Sequence, residues 1–277
     1  MALDFAALMR EERARFALRG ASPSRGDAAA AQPAATLAGD DSDDGVPALD
    51  ASARRSALRV VGAGVLASLL YAPDFITVEE EKALERAATS RGAWASCHGR
   101  RVRKIGGDAG SPGFDPAAHP IRPPWARQLC DAVCDAARLG ARPNHVLVNE
   151  YPSDGGYILP HSDGPAYAPA TATLSCGADC VVVFSRRLST AQIGVEPDVP
   201  TCSVVLRRRS LLVFRDDAYV THTHAIQRGA ESTIGSAADG PCINCEFAGV
   251  CKGDAVVRDT RRVSFTVRHA LPMAPAA

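Results

Sequence analysis

The chain is predicted to fold as a mainly β protein with flanking helices (α+β), its core a double-stranded β-helix, or jelly roll, whose two sheets leave a cavity between them. Three observations predict this. From residue 145 short β-rich runs alternate with Gly, Pro and Asp; two segments of helical composition precede them; and the last run alternates polar and apolar residues strictly over 262–268.

The 277 residues suffice for one main domain plus extensions, and a hydrophobic fraction of 46% supports a packed core. Lys and Arg number 31 and Asp and Glu 31, so no net field draws in a polyanion, and a protein that coats nucleic acid through global charge is excluded. The sequence has no run of about 20 apolar residues, and Asp4, Glu11 and Glu12 interrupt the start, so neither membrane spanning nor secretion is expected. Nine cysteines, odd in number and dispersed, read as reduced thiols of the nucleus and cytoplasm.

Residues 1–64 read as an N-terminal extension. Phe5, Leu8 and Met9 beside Arg10, Glu11, Glu12 and Arg13 suggest a short amphipathic helix that could serve a partner, and the Ala-, Asp- and Ser-rich stretch 21–57 reads as a disordered linker. An organellar transit peptide fits less well, because acids accompany the arginines.

Residues 65–143 form helical support and a substrate-lid region. Leu66, Leu69, Leu70, Tyr71 and Phe75 give a strand-like apolar start, and Thr77 with Glu80 has capping-box spacing for a helix from about Val78 to Ser90. A second helix begins after Pro123 and Pro124, carries Trp125, Leu129 and Val133, and stops before Gly140. Between them lie the basic residues Arg100, Arg101, Arg103 and Lys104, expected in a loop.

The jelly-roll core spans 144–271, one domain with 65–143, followed by a tail at 272–277. Strands are expected at 146–151, 157–163, 171–176, 180–186, 203–207, 210–215, 221–227 and 261–269. His161 and Asp163, two apart on a strand, project from one face and can share a metal ion. His222 and His224 also share a face, and parity admits either as third ligand of a 2-His-1-carboxylate set, the donor set of non-haem Fe(II). On the last strand Arg262, Ser264, Thr266 and Arg268 fall on one face, and Val263, Phe265 and Val267 on the other. Two guanidinium groups facing a cavity demand anions, which a dicarboxylate would supply. Asn149 and Tyr151 share a face and can bond a carboxylate without adding charge.

Four runs, AsnHisValLeuValAsnGluTyr (144–151), ProHisSerAspGlyProAlaTyr (160–167), SerLeuLeuValPheArgAspAspAlaTyr (210–219) and ArgValSerPheThrValArg (262–268), are collinear with one another in a known pattern. The sequence resembles the AlkB family of Fe(II)/2-oxoglutarate dioxygenases over roughly 65–271, including TyrAlaProAspPheIle (71–76) and ArgProProTrp (122–125). The resemblance implies that His161, Asp163 and His224 hold Fe(II), selecting His224 over His222 because it precedes Ala225 and Ile226. It implies that Arg262 and Arg268 bind 2-oxoglutarate with Asn149, Tyr151 and Ser264, and that O2 is the second cosubstrate. Oxidative demethylation of a methylated DNA or RNA base follows as the implied reaction, releasing succinate, CO2 and formaldehyde, with Arg100, Arg101, Arg103 and Lys104 as lid candidates toward phosphate.

Two other readings compete. The same chemistry could hydroxylate or demethylate a protein side chain, and a catalytically silent binding module could use the N-terminal helix and a cysteine cluster. The segment 228–257 departs from the family pattern and holds Cys242, Cys245 and Cys251, a weak zinc candidate because a second CxxC pair is missing. The sequence leaves the oligomeric state open.

Overall fold

Strict alternation along the last strand, β14 (Arg262–Ala270), divides the interior of the protein in two. In the structure, a computed structural model that describes residues 45–49, 54, 57–90, 92–189, 192 and 199–275, this strand lies at the centre of an eight-stranded sheet. Its order is β1 (Arg59–Val60), β2 (Leu69–Ala72), β10 (Leu211–Arg215), β7 (Tyr167–Cys176), β14, β5 (His145–Tyr151), β4 (Arg100–Ile105) and β3 (Ala95–Cys97). A second sheet runs β6 (Ile158–His161), β11 (His222–Ile226), β8 (Cys180–Arg186), β9 (Pro200–Leu206). The expected N-terminal helix lies outside the described residues, as does most of the expected linker.

Val263, Phe265 and Val267 face the helices. There they join Leu84 of α1 (Val78–Ser90) and Trp125, Leu129 and Val133 of α2 (Pro124–Ala137) in one buried cluster. The Trp125 ring meets Phe265 edge-on at 5.6 Å, a favoured aromatic geometry. Between the sheets lies a second cluster with Tyr71, Val182, Phe184, Leu206 and Phe214. Every apolar residue on one side of β14 is thus matched by a helix, and the polar side faces the inter-sheet space, as the alternation requires.

Both helices start as the sequence predicts. The Thr77 amide donates to Glu80 Oε2 at 2.7 Å and the Glu80 amide to Thr77 Oγ1 at 3.2 Å, a reciprocal capping box. In α2 it is Arg138, with φ of 51°, that takes the left-handed capping position ahead of Gly140.

Two parts of the chain are more ordered than the sequence suggests. At the described end of the expected linker, Val46 and Leu49 pack on the helix-side core, and Arg54 pairs with Glu80. The expected tail is a strap: the Leu271 amide bonds Ala166 O at 2.9 Å, Met273 bonds Phe114 O at 2.8 Å, and Gly113 bonds Ala274 O at 2.9 Å. Apolar packing and an ion pair hold the first and paired amides the second, and composition reveals neither.

Candidate active site

Strands β6 and β11 pair antiparallel with His161 opposite His224, which brings the two imidazole centroids to 4.2 Å. Asp163 follows His161 by two residues, its Oδ1 3.9 Å from His161 Nε2. Ligand atoms of His161, Asp163 and His224 all lie within 4.8 Å of one another, close enough to hold one ion. His222, two residues earlier on β11, instead bonds Thr221 Oγ1 at 2.9 Å, so the structure brings His224 and not His222 to the other two. Among the described residues one other such group exists, Glu81, Glu85 and Cys176, but there Arg208 and Arg261 already compensate the carboxylates.

The electrostatics suit a divalent cation. His161 Nδ1 lies 3.0 Å from Leu159 O, and a carbonyl only accepts, so Nδ1 carries the hydrogen and Nε2 presents a lone pair toward Asp163. Burial lowers the pKa of His161, and burial followed by the His161 charge lowers that of His224 to about 3, keeping both rings neutral donors. For Asp163 burial pushes upward, yet the Arg268 guanidinium prevails with both histidines and Thr171, and the carboxyl sits below its ordinary range. Arg268 Nη1 donates to Asp163 Oδ1 at 2.8 Å and Thr171 Oγ1 to Oδ2 at 2.6 Å. Each oxygen keeps a second lone pair for a metal, so the donor set fits the ion.

At the other end of β14 the balance differs. Arg262 is 1% exposed, donates Nη2 to Ser175 Oγ at 3.0 Å, and has no partner for Nε or Nη1. Its guanidinium lies 5.0 Å from the ring centroid of Tyr151, whose hydroxyl is also unpartnered. Leaving a buried charge uncompensated costs several kcal/mol, whereas one hydrogen bond to a neutral hydroxyl returns roughly 1.5–3 kcal/mol. Only an anion closes that gap, and a carboxylate of 2-oxoglutarate offers the matching fork. Register sets Tyr151 beside Arg262 and Asn149 beside Ser264. All four residues, with the three ligand candidates and Arg268, line one cavity of about 620 Å³.

The structure places the basic lid candidates on a strand. They form strand β4 of a hairpin with β3 on the sheet edge, not a loop. Alternation then sends Arg100 and Lys104 to the cavity, where Arg100 Nε bonds Asn149 Oδ1 at 3.1 Å. Arg101 turns away to Glu150 at 2.7 Å and the Trp94 ring, and Arg103 to Ala88 O at 2.9 Å, so these two do not join the site.

The segment 228–257 folds as strands β12 (Glu231–Thr233) and β13 (Ala255–Val257) with a short helix α3 (Cys245–Ala248). Its Ile234, Ala248 and Val256 cover Val181, Val183 and Val205 on the outer side of the small sheet. Cys242, Cys245 and Cys251 do not converge as a ligand set among the described residues; Cys242 bonds Asn244 and Cys245 its neighbour's carbonyl. Asn144 of the 144–151 run pins the end of β14 by two bonds to Ala270.

Sequence reasoning missed Thr171 and Ser175, which hold Asp163 and Arg262, and Tyr167, whose ring lies 4.0 Å from the Arg268 guanidinium. Thr171, Thr173 and Ser175 alternate along β7, a polar face readable by the argument applied to β14.

The chain matches the profile of the "2OG-Fe(II) oxygenase superfamily" over residues 69–268. It is 33% identical over 213 residues to "Probable RNA/DNA demethylase ALKBH6" of Danio rerio, covering 73% of this chain and 85% of the relative. Among solved structures, OsALKBH1 aligns with a TM-score of 0.43 at 14% identity, over 73% of this chain and 96% of that one. A 2OG-Fe(II) oxygenase family oxidoreductase from Burkholderia pseudomallei aligns with a TM-score of 0.43 at 16% identity, over 82% and 95%. The family profile spans well over half of the sequence and the relative exceeds 30% identity across most of its own length, so the chain belongs to the AlkB family of Fe(II)/2-oxoglutarate-dependent oxygenases.

Proposed function

We propose that this oxygenase removes a methyl group from a base of DNA or RNA, with His161, Asp163 and His224 holding Fe(II) and Arg262, Arg268, Asn149, Tyr151 and Ser264 receiving 2-oxoglutarate. The substrate class is carried by one observation, the 33% identity to a relative named as an RNA/DNA demethylase. When bound, Fe(II) with 2-oxoglutarate and O2 supplies the oxidation, one oxygen atom entering succinate as CO2 leaves and the other entering a substrate C–H bond. On an N-methyl group that insertion yields N–CH2OH, which loses formaldehyde and leaves N–H.

The chain's own residues orient and protect. Neutral His161 and His224 and anionic Asp163 present three donors on one side of an ion, leaving its other side to the cosubstrates. Arg268 holds Asp163 ionised and aimed, and Arg262 anchors the far carboxylate of 2-oxoglutarate beside the Tyr151 ring. Arg100 and Lys104 at the cavity meet the phosphates flanking an extruded base, a local cationic edge on a protein of zero net charge. The enzyme works in the nucleus and cytoplasm, a placement supported by nine free cysteines.

Succinate release coupled to formaldehyde release, with methylated DNA and RNA oligonucleotides set against methylated peptides, tests this. Formaldehyde only with an oligonucleotide is the expected result. Turnover on peptides alone would replace the base by a protein side chain, and no turnover with either would favour a binding module.

A further inference from the structure

The segment 228–257 is flanked by two arginines, and both reach the same turn. Residues 152–157 connect Tyr151, at the end of β5, to β6 with its metal-ligand candidate His161. This turn has little regular pairing, and Gly156, with φ of 78°, packs so tightly that an added Cβ would lie 3.1 Å from Gly99 O and 3.3 Å from the Tyr151 ring.

Arg258 supplies the missing donors from beneath. It is 3% exposed, and its Nε bonds Pro152 O at 3.1 Å, while Nη2 bonds Gly155 O, Gly156 O at 3.1 Å and Gly229 O at 3.1 Å. The same guanidinium lies 5.6 Å from the Tyr151 ring, which Arg262 approaches at 5.0 Å. Arg228 holds the turn at its other end, its Cζ 4.1 Å from the Tyr157 ring centroid and its Nη2 2.8 Å from the Tyr157 hydroxyl. Between the two arginines the backbone returns through β12 and β13, with Glu231 opposite Val257 and the Arg258 amide on Ala230 O at 2.7 Å. The inserted segment is therefore a bracket whose two feet stand on one turn.

We propose that Arg258 is a positioning residue for cosubstrate binding: it fixes the 152–156 turn and, through Tyr151, the arm of the site that receives 2-oxoglutarate. This rests on the reading that Arg262 and Tyr151 form that arm. A guanidinium does this where a single ammonium could not, because Nε reaches Pro152 O while Nη2, on the far side of the fork, serves Gly155, Gly156 and Gly229. The segment departing from the family pattern thus acquires a task at the site without contributing a group to the chemistry.

The test titrates 2-oxoglutarate into the full-length, Mn(II)-loaded protein by calorimetry, alongside KM, kcat and thermal unfolding, for Arg258→Lys, Arg258→Met, Arg228→Ala and Arg262→Met. Arg258→Lys and Arg258→Met are expected to raise both the Kd and the KM for 2-oxoglutarate by roughly 10- to 100-fold, the range found when a supporting contact behind a ligand is lost. The Mn(II) affinity and kcat should stay within about threefold, because the metal donors are bonded elsewhere. Arg228→Ala, which frees only the Tyr157 end, should give a smaller rise in the same direction. If Arg258→Met does not fold, Arg258→Lys decides. A lowered melting temperature with unchanged 2-oxoglutarate Kd in folded Arg258→Lys would overturn the proposal and leave Arg258 a structural residue. Unchanged Kd in Arg262→Met would overturn the cosubstrate site itself, a distinct failure.

Discussion

Two buried arginines six residues apart on one face of one strand face opposite electrostatic situations. Arg268 has its counter-ion in the chain, bonded to Asp163 at 2.8 Å and lying over the Tyr167 ring. Arg262 has a serine hydroxyl and two unpartnered nitrogens. At one end of the cavity the arginine's charge is thus compensated before any ligand arrives, with only its Nε left without a partner, and at the other the charge is compensated only by binding. The difference teaches where binding energy goes: the metal end is preorganised by an ion pair within the chain, while the cosubstrate end holds an uncompensated charge at the expense of folding stability, in reserve for an incoming dianion.

Asp163→Ala should have the largest effect, since it removes a metal donor and orphans Arg268 together. Succinate release should disappear, and urea unfolding should show a loss of about 3–5 kcal/mol, the usual result of breaking a buried pair from one side. Unaltered stability would mean that Arg268 is not compensated by Asp163. His224→Ala should abolish Mn(II) binding seen by paramagnetic resonance, whereas His222→Ala should change that affinity by less than about threefold; equal losses would move the metal outward along β11.

Arg262→Met sharpens the contrast. Cosubstrate affinity should fall by about 100-fold with melting temperature unchanged or raised, because the side chain removed is one whose charge the free protein leaves unpaired. Arg268→Met should do the reverse and destabilise the free protein. Similar melting curves for the two would erase the distinction between the ends.

The smallest effect concerns acid. His145, beside Arg268, is held neutral mainly by burial and then by the Arg268 charge, its pKa lowered to about 3 from an ordinary 6.5. The unfolded chain binds that proton first, so the contribution is whole above pH 6.5 and is lost progressively as pH drops from 6.5 toward 3. His145→Phe should flatten that part of the stability curve, and an unchanged slope would place the acid sensitivity elsewhere.

What could be read in advance depended on periodicity. The alternation of Arg262, Ser264, Thr266 and Arg268 against Val263, Phe265 and Val267 foretold which side of β14 meets helices, because a strand has no other way to place them. The capping box at Thr77 and Glu80 was legible for the same local reason. Parity could not separate His222 from His224; that choice is made by where β11 crosses β6, a long-range register. The hairpin carrying Arg100 to Lys104 looked like a loop because an edge strand is exposed and its composition is polar. Arg258 was invisible: three of its four partners are backbone carbonyls about a hundred residues away, and a carbonyl has no sequence signature.

The strap at residues 271–275 ties Ala166, just past the Asp163 turn, and the Gly113–Phe114 segment to a single stretch of backbone. Anyone fusing a reporter or affinity handle directly behind residue 275 would be pulling on the cavity rim, so a spacer, or a handle attached at the opposite terminus, is the sounder way to immobilise this enzyme for kinetics.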